Sequence, residues 1–416
     1  MTHDFSIPYG NNEVSFAIPK GWHVISILSP QDPEKIRDLR SVLAKNLRNP
    51  VGSPGIAELA NSKKSATIIS DDKARPTPAA KLIPVILEEL GRVSVKERDV
   101  TLVIGRGLHP KMTERELTGK LGKTIMERVH VEDHNADVNC VALGRTSNSV
   151  PVSINRTVAD SNLKIGLGSI FPHELLGFTG GAGIIVPGVA SRETINRNHM
   201  LVGKFEAKFG GIEGNLIRAD AEEAARISGL NMIVNVVLNS HDEIHSVHVG
   251  DVVKAHREGV SVSTRVHGVK VREPGDVAIV SSSPNGATFG KGLKAIFAAD
   301  AATKTGGTII FVSPCNEGIS SSEVFAEMLL SNPGPKFLFK LLKEGELPGE
   351  SCVLYLFSLV KRRKKIILVS NRITATEAEK MGIDHAKSIE EAIEMCGKEK
   401  ANVYLMPRGS ITLPMT

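Results

Sequence analysis

Aromatic side chains are scarce in this chain, whose 416 residues include one Trp, three Tyr and 13 Phe. Proteins that bind single-stranded nucleic acid stack the bases on exposed aromatic rings, so this scarcity argues against that function. A strong excess of one charge is also missing, because 51 Lys and Arg against 46 Asp and Glu leave a formal net charge of only +5. We therefore expect no nucleic-acid partner. The small positive excess suits a pocket for a small anion equally well.

Cysteines are few and never occur as a CxxC pair; the four are Cys140, Cys315, Cys352 and Cys396. This spacing argues against a disulfide framework and against a structural zinc site. Long apolar runs are absent too, since stretches such as residues 352–357 are far shorter than a membrane span. The first residues lack the basic start and apolar stretch of a secretory signal. We expect a cytoplasmic protein with no membrane partner.

The remaining sequence alternates short β-rich runs with amphipathic helical stretches, which indicates an α/β fold. Residues 101–104 predict a buried strand, which a Gly-rich turn connects to a helix over 113–122, with Thr113 as N-cap and Glu116 completing a capping box. Further strands are predicted at 163–166 and 232–238, the second followed by a hairpin. After a polar link at 272–276 the pattern restarts, with strands at 277–282, 307–314 and 365–369 and helices at 291–303 and 389–396. We predict two α/β domains, residues 1–272 and 273–416, with the active site in the cleft between them.

Three histidines are candidates for acid–base chemistry or metal binding because of where they lie. His109 follows the predicted strand at 101–104, His173 lies in the loop after the strand at 163–166, and His199 lies in the Asn-Arg-Asn-His-Met segment. Ligands of α/β proteins collect at such strand ends, and imidazole titrates nearest neutrality. Each histidine taken singly is also compatible with an ordinary surface or core role.

Residues 177–188 contain five glycines in twelve positions, which lets backbone N–H groups approach an anion or a flat ring. The segment is not a Walker loop, because no Gly-Lys-Ser/Thr follows. Residues 165–171 lack the third Gly of a dinucleotide fingerprint, which argues against an NAD-dependent dehydrogenase. A tightly packed irregular loop is the alternative interpretation.

Two further segments carry groups that could bind an anion. Asp72 and Arg75 lie in a Pro-limited turn, and Arg offers a planar fork that matches a carboxylate. Lys291 and Lys294 lie near the start of a predicted helix, where anions bind readily. Solvated surface charges are the simpler interpretation of both segments.

The histidines of the segment HDEIHSVH resemble a metal cluster at first sight. The HExxH pattern of metalloproteases needs Glu after the first His, whereas here Asp242 follows His241. The flanking alternation is strand-like, so His241, His245 and His248 would not share a helical face. We expect no metal site there.

Taken together, five segments resemble the nickel-pincer-nucleotide-dependent lactate racemase family over nearly the whole chain. They are DDKARPTP at 71–78, GRGLHPKMTERELTGKLG at 105–122, HNADV at 134–138, FPHELLGFTGGAGIIVPGVASRETINRNHM at 171–200 and GGTIIFVSPCNEGI at 306–319. The most specific is the His-x₃-Gly-Phe-Thr-Gly-Gly run, which is followed by Pro-Gly and a distant Asn-His.

The resemblance implies a two-domain racemase or epimerase of a 2-hydroxy acid, acting by hydride transfer to and from a nickel-pincer nucleotide. It implies His109 and His173 as the catalytic acid and base, His199 as the nickel ligand, and Arg75 and Lys294 as the substrate-binding cations. It also implies partner proteins that make the cofactor. The cofactor-binding positions it implies are Asp72, Phe178, Gly180, Gly181, Gly183 and Pro187. Asp72 would also hold a catalytic histidine in place.

The chain departs from the family pattern at three places. The family's tethering Lys is Gly183 here, which predicts a cofactor bound without a covalent link. Gly290 and Lys291 replace a Tyr-Gln pair, and an aromatic residue expected near Cys352 is missing. These changes predict a more open pocket and a substrate larger or more anionic than lactate. The alternatives are a non-catalytic homologue that binds a cofactor or metal, and a lyase or hydrolase in which the three histidines bind an ordinary metal ion.

Overall fold

The structure is a computed structural model that describes residues 4–61 and 65–415. Its strands are β1 Asp4–Tyr9, β2 Asn12–Ala17, β3 Trp22–Ile27, β4 Ala66–Asp71, β5 Val100–Gly105, β6 His130–Asp133, β7 Cys140–Arg145, β8 Pro151–Asn155, β9 Leu163–Ser169, β10 Pro172–His173, β11 Gly177–Phe178, β12 Met232–Leu238, β13 Ile244–Gly250, β14 Gly268–Lys270, β15 Gly275–Ser281, β16 Thr303–Val312, β17 Lys365–Val369, β18 Asp384–Ala386, β19 Ala401–Met406 and β20 Leu413–Met415. Its helices are α1 Leu39–Arg48, α2 Ile56–Leu59, α3 Ala79–Arg92, α4 Glu114–Leu121, α5 Lys123–Arg128, α6 Arg156–Asp160, α7 Arg192–His199, α8 Leu216–Ile227, α9 Lys254–His267, α10 Phe289–Ala302, α11 Glu323–Leu330, α12 Pro335–Glu344, α13 Cys352–Arg363, α14 Ala375–Lys380 and α15 Ile389–Met395.

The first large sheet has the strand order β13-β12-β9-β4-β5-β6. Its strands are parallel except β13, which forms an antiparallel hairpin with β12 at one edge. Strands β9 and β12 are buried along their whole length, as expected for a parallel sheet covered on both faces. The carboxyl ends of β4, β5 and β9 therefore meet at one edge of this sheet.

The second large sheet has the order β18-β17-β16-β15-β19-β3, and all its pairings are parallel. Helix α10 connects β15 to β16 and packs against both strands. Nine of its fourteen residues, mostly Ala, Ile, Leu and Phe, are buried. The predicted α/β class is thus confirmed, with one largely parallel sheet in each half of the chain.

The predicted elements agree closely with the structure where the local signals are strong. Helix α4 begins after Thr113, whose side chain accepts from the Glu116 backbone, while the Glu116 carboxylate accepts from the Thr113 backbone. The strand predicted at 232–238 and its hairpin correspond to β12 and β13. Among the described residues, no helix is both long and apolar enough to cross a bilayer.

The N-terminal strands pack with the second half of the chain, although the predicted division at residue 272 assigned them to the first. Strand β3 pairs with β19 at the edge of the second sheet, so it does not belong with the rest of residues 1–272. The hairpin of β1 and β2 accompanies it, because Ile7 and Phe16 are buried in one core cluster with Val277. This burial removes apolar surface of the hairpin and of the second sheet from water together. The boundary near residue 272 itself stays a prediction.

Candidate active site

A cavity of about 810 Å³ lies between the two halves of the chain. Its wall combines the ends of strands β4, β5 and β9 with the loop after β10 and the first turns of helix α10. Most of the site residues expected from the sequence line it, namely Asp72, Arg75, His109, His173, Gly180, Gly183, Pro187, His199 and Lys294. The fold therefore brings together side chains that are more than 200 residues apart in the sequence.

His109 and Asp72 form a hydrogen-bonded pair at the ends of the neighbouring strands β5 and β4. His109 Nδ1 lies 2.8 Å from Asp72 Oδ2. Burial acts to raise the pKa of Asp72, but the hydrogen bond and charge of His109 and the charge of Arg75 outweigh it and lower that pKa. An ionised Asp72 can only accept, so His109 Nδ1 carries the proton. The His109 Nε2 lone pair, on a half-exposed ring, is left free to take a proton.

His173 is held differently, by backbone groups of its own turn. The ring is buried, and its Nδ1 accepts from the backbone N–H groups of Leu175 and Leu176 at 3.2 and 3.3 Å. Burial, followed by the positive charges of Lys294 and Arg75, keeps the pKa of His173 well below its usual value. The ring is therefore neutral, with its proton on Nε2.

His199 is the last residue of helix α7, and its ring has the protonation state that a metal ligand needs. Asn198 Nδ2 donates to the Ile217 carbonyl and to Asp220 Oδ2, at 3.1 and 2.9 Å, so the amide oxygen must face the other way. That oxygen lies 3.1 Å from His199 Nδ1, which accordingly carries the proton and donates it. Burial lowers the pKa of His199 to about 4. The imidazole is thus neutral near pH 7, and its Nε2 lone pair is available to a metal ion.

Arg75 and Lys294 are two cations of the cavity wall that form no salt bridge with a carboxylate of the described residues. Arg75 Nη1 donates to the neighbouring Ala74 carbonyl at 3.2 Å. Burial, together with the charge of Arg75, lowers the pKa of Lys294 to about 8, although Glu174 acts in the opposite direction. Two cations that disfavour each other across a cavity form a natural site for a small carboxylate.

The Gly-rich loop after β11 contributes Gly180, Gly183 and Pro187 to the cavity wall. Gly180 has a φ of +73° and leaves no room for a side chain, because an added Cβ would lie 2.8 Å from Asn235 Oδ1. Gly183 differs, since the nearest atom to an added Cβ is Leu176 Cδ1 at an ordinary 3.6 Å.

Two predicted cofactor-binding positions do not line the cavity. Phe178 is buried in a small core cluster with Ile170 and Val237. Gly181 packs against the ring of His256, and its backbone N–H donates to Asn235 Oδ1 at 2.7 Å. Both residues lie on the side of the Gly-rich loop that faces the core, opposite the side that lines the cavity.

Phe325 lies beside Gly290 in the cavity wall, at the place where the sequence predicts a more open pocket. A Cβ added at Gly290 would lie 3.0 Å from the ring of Phe325, which extends from α11 and also lines the cavity. Lys291 lines the cavity too, with its Nζ 3.6 Å from Glu317 Oε2. The positive charge expected at this position is therefore present, while Phe325 occupies the space next to Gly290.

Among the cavity residues that sequence reasoning missed are Asn235 and Glu174. Asn235 is a buried amide within the otherwise apolar strand β12, and this interruption of an apolar run was the available signal. Glu174 follows His173 directly, and no sequence pattern distinguishes it from a solvated glutamate.

The histidines of the HDEIHSVH segment are not brought together. Three separate groups contact them: Asp32 Oδ1 lies 3.0 Å from His241 Nδ1, the Glu34 carbonyl 2.8 Å from His245 Nδ1, and Ser246 Oγ 2.9 Å from His248 Nε2. Within residues 4–61 and 65–415, no group of three or more His, Cys, Asp and Glu side chains is placed to hold a metal ion.

Comparison with known proteins identifies the family. The chain matches the lactate racemase N-terminal domain over residues 9–210 and the lactate racemase C-terminal domain over residues 272–411. It is 30% identical over 382 residues to the lactate racemase of Lactiplantibacillus plantarum, with 89% of each chain covered. The chain belongs to the lactate racemase family. A second lactate racemase, from Thermoanaerobacterium thermosaccharolyticum, is 27% identical over 401 residues, with 94% of each chain covered.

One solved structure agrees with the lactate racemase assignment, and a second shares the fold. The lactate racemase apoprotein of T. thermosaccharolyticum superposes with a TM-score of 0.90 at 26% identity, with both chains fully covered. A Thermotoga maritima protein shares the fold at a TM-score of 0.69 and 17% identity, over 93% of this chain and 99% of the other. As a lactate racemase family member, this protein is an isomerase.

Proposed function

We propose that this protein interconverts the stereoisomers of a 2-hydroxy acid by hydride transfer, with a nickel-pincer nucleotide as a non-covalently bound cofactor. One observation carries the proposal. Three histidines line one cavity with Nδ1 held by Asp72, by backbone N–H groups and by Asn198 respectively, and none of their Nε2 atoms has a hydrogen-bond partner among the described residues. Two cations, Arg75 and Lys294, lie in the same wall and form no salt bridge within the described part of the chain.

The cavity suits the cofactor in both its donor atom and its space. His199 would bind nickel through Nε2, since its Nδ1 proton is engaged by Asn198, and imidazole is a common ligand of Ni(II). Gly180, Gly183 and Pro187 would lie against the nucleotide. When bound, the nickel-pincer nucleotide supplies a reversible acceptor of hydride. Cofactor-biosynthesis proteins are therefore the implied partners of this enzyme.

The side chains of the protein would bind the substrate and move the proton. Arg75 and Lys294 would hold the carboxylate, which fixes the position of C2. His109 would take the proton of the 2-hydroxyl at Nε2, with Asp72 stabilising the cation that forms. His173 would supply a proton to the oxygen when the opposite stereoisomer is made. Inversion of a centre needs a proton-transfer group for each stereoisomer, which accounts for two histidines.

The alternative of an ordinary metal ion bound by His109, His173 and His199 has less support. Such a site needs three ligands around one point, and the described part of the chain contains no such group. The non-catalytic alternative does not explain why both acid–base histidines, Arg75 and Lys294 lie in a single cavity.

Paired native and denaturing mass spectrometry tests the proposal on protein produced together with cofactor-biosynthesis enzymes. We expect added mass and stoichiometric nickel in the native spectrum, with both lost on denaturation. The loaded protein should racemise or epimerise acids in a panel of lactate, malate, gluconate and phenyllactate, with lactate not the fastest. Mass retained after denaturation would contradict non-covalent binding, and absence of any cofactor would favour the alternatives.

Replacement of Gly183 with Lys is expected to create a covalent link to the cofactor. The space found around an added Cβ means that the variant should fold, and the family pattern has Lys at this position. Cofactor mass should then persist in the denaturing spectrum. Gly183→Met serves as the matched control, because it is similar in length and has no amine. A persistent adduct in both variants would contradict this prediction.

The efficiency of the enzyme is expected to fall as the pH rises through about 8. Lys294 has a pKa lowered to about 8, so it is charged below this pH and loses its charge above it. Because kcat/KM reports ionisations of the free enzyme, it should decrease above pH 8 through weaker binding of the substrate carboxylate. Lys294→Met should lower kcat/KM throughout and abolish this decrease. An unchanged alkaline decrease in the variant would assign it to another group.

A further inference from the structure

One carboxylate in the cavity wall has an oxygen that no described residue hydrogen-bonds. Glu174 lines the cavity, its side chain is 13% exposed, and its buried Oε2 has no hydrogen bond within residues 4–61 and 65–415. A buried acceptor without a donor costs free energy, so such an atom calls for an explanation. The ionisable nitrogen within 4 Å of this oxygen, among the residues that the structure describes, is Nδ1 of the neutral His173 ring, at 3.7 Å from Glu174 Oε2.

The hydrogen bonds of His173 are incompatible with its working as an acid and a base. While Nδ1 accepts from Leu175 and Leu176, the only proton of the neutral ring is on Nε2, and the ring has no lone pair for the substrate. Loss of that proton would produce an imidazolate, which is not accessible near neutral pH. A working His173 needs its proton on Nδ1, and that proton needs an acceptor.

The positive charges around His173 also require a nearby carboxylate if the ring is to be protonated. The groups that act on it are Lys294 from α10, Arg75 from the turn after β4, His199 from α7 and Arg218 from α8, and each of them lowers the pKa of the ring. Protonation of His173 would add a further positive charge to this group. Glu174 is the carboxylate within ion-pair distance of the ring in the described part of the chain.

We propose that Glu174 is the positioning residue of His173, the counterpart of Asp72 at His109. This inference rests on the proposed function. When His173 takes up a proton from solvent at Nδ1, it exchanges the Leu175 and Leu176 N–H groups for Glu174 Oε2. The approach from 3.7 Å to a hydrogen-bond distance requires a shift of about 1 Å. The resulting cation gives its Nε2 proton to the substrate oxygen and remains as a neutral ring with the proton on Nδ1. This is the form that accepts the next proton at Nε2.

Histidine ¹⁵N NMR of the apoprotein tests this arrangement without any cofactor. The His173 signals are assigned from their absence in His173→Gln. In the wild-type protein, we expect acidification to protonate Nδ1 of His173. In Glu174→Gln we expect the ring to keep its proton on Nε2 and to become charged at least one pH unit lower. Glu350→Gln, which removes a carboxylate of the same cavity from the other half of the chain, should leave the His173 titration unchanged.

Kinetics of the loaded enzyme give the second readout. Glu174→Gln should lower kcat about 10²-fold, within the usual contribution of a positioned acid or base, with a smaller change in KM. Its kcat–pH profile should also lose the ionisation assigned to His173. A wild-type pH profile together with an unchanged His173 titration would overturn the inference, provided that thermal unfolding shows an intact fold. If the wild-type protein has no racemase activity, the proposed function fails, while the NMR result still decides the role of Glu174.

Discussion

Replacement of His109 with Gln is expected to lower kcat by about 10²- to 10⁴-fold, the usual contribution of a positioned general acid or base. Gln keeps an amide of similar reach but can neither take nor give a proton. The fold should survive, because the His109 side chain is half exposed and its main contact is Asp72. Steady-state assays in both directions, on protein with measured nickel content, give the result.

The chain provides a matched control for this variant. His241 also lies near an aspartate, with Nδ1 3.0 Å from Asp32 Oδ1, but it is exposed and is not part of the cavity wall. His241→Gln should therefore have wild-type kinetics. A loss below tenfold in His109→Gln would show that this residue is not the proton acceptor. Equal losses in both variants would point to a general effect on the protein.

Replacement of His199 with Ala is expected to abolish nickel retention and turnover together. Its Nε2 is the proposed protein ligand, and Ala offers no donor atom in its place. Nickel measured by elemental analysis after gel filtration, together with native mass spectrometry, checks this result. The comparison with His109→Gln is decisive, because that variant should keep nickel and lose turnover. Full nickel content in His199→Ala would assign metal binding to another residue.

Removal of a buried side chain can weaken nickel binding simply by disturbing the fold, so a second variant is needed to support the conclusion. Asn198→Asp keeps an oxygen beside His199 Nδ1 but replaces the amide nitrogen that donates to Asp220. Repulsion between the two carboxylates should weaken nickel retention while His199 itself is present. An unfolding midpoint close to that of the wild-type protein would show for each variant that the effect lies in the site.

The local signals of the sequence predicted the elements well and the long-range contacts less well. Thr113 and Glu116 determine the start of helix α4 through bonds that lie within four residues, so the sequence alone was sufficient. Most predicted site residues lie in one cavity because the carboxyl ends of neighbouring parallel strands meet at one edge of the sheet. The exceptions, Phe178 and Gly181, lie on the far side of the Gly-rich loop, and composition cannot tell the two sides of a loop apart.

Contacts between distant segments explain the remaining differences. Phe325 fills the space beside Gly290 although it lies 35 positions further along the chain, so no local pattern could reveal it. Strand β3 joins the second sheet by pairing with β19, nearly 380 residues away. The orphaned oxygen of Glu174 is visible only when every neighbouring donor has been placed around it.

The position of strand β3 also constrains how the two halves can move. Because β3 lies in the second sheet, the chain passes to the first sheet between β3 and β4 and returns to the second between β14 and β15. Strand β20 then pairs with β14 close to the return. The two halves are thus joined by two covalent crossings, so any change in the width of the cleft has to keep both crossings intact. Rotation about the line that joins the two crossings would do so, whereas twisting of one half against the other would strain both.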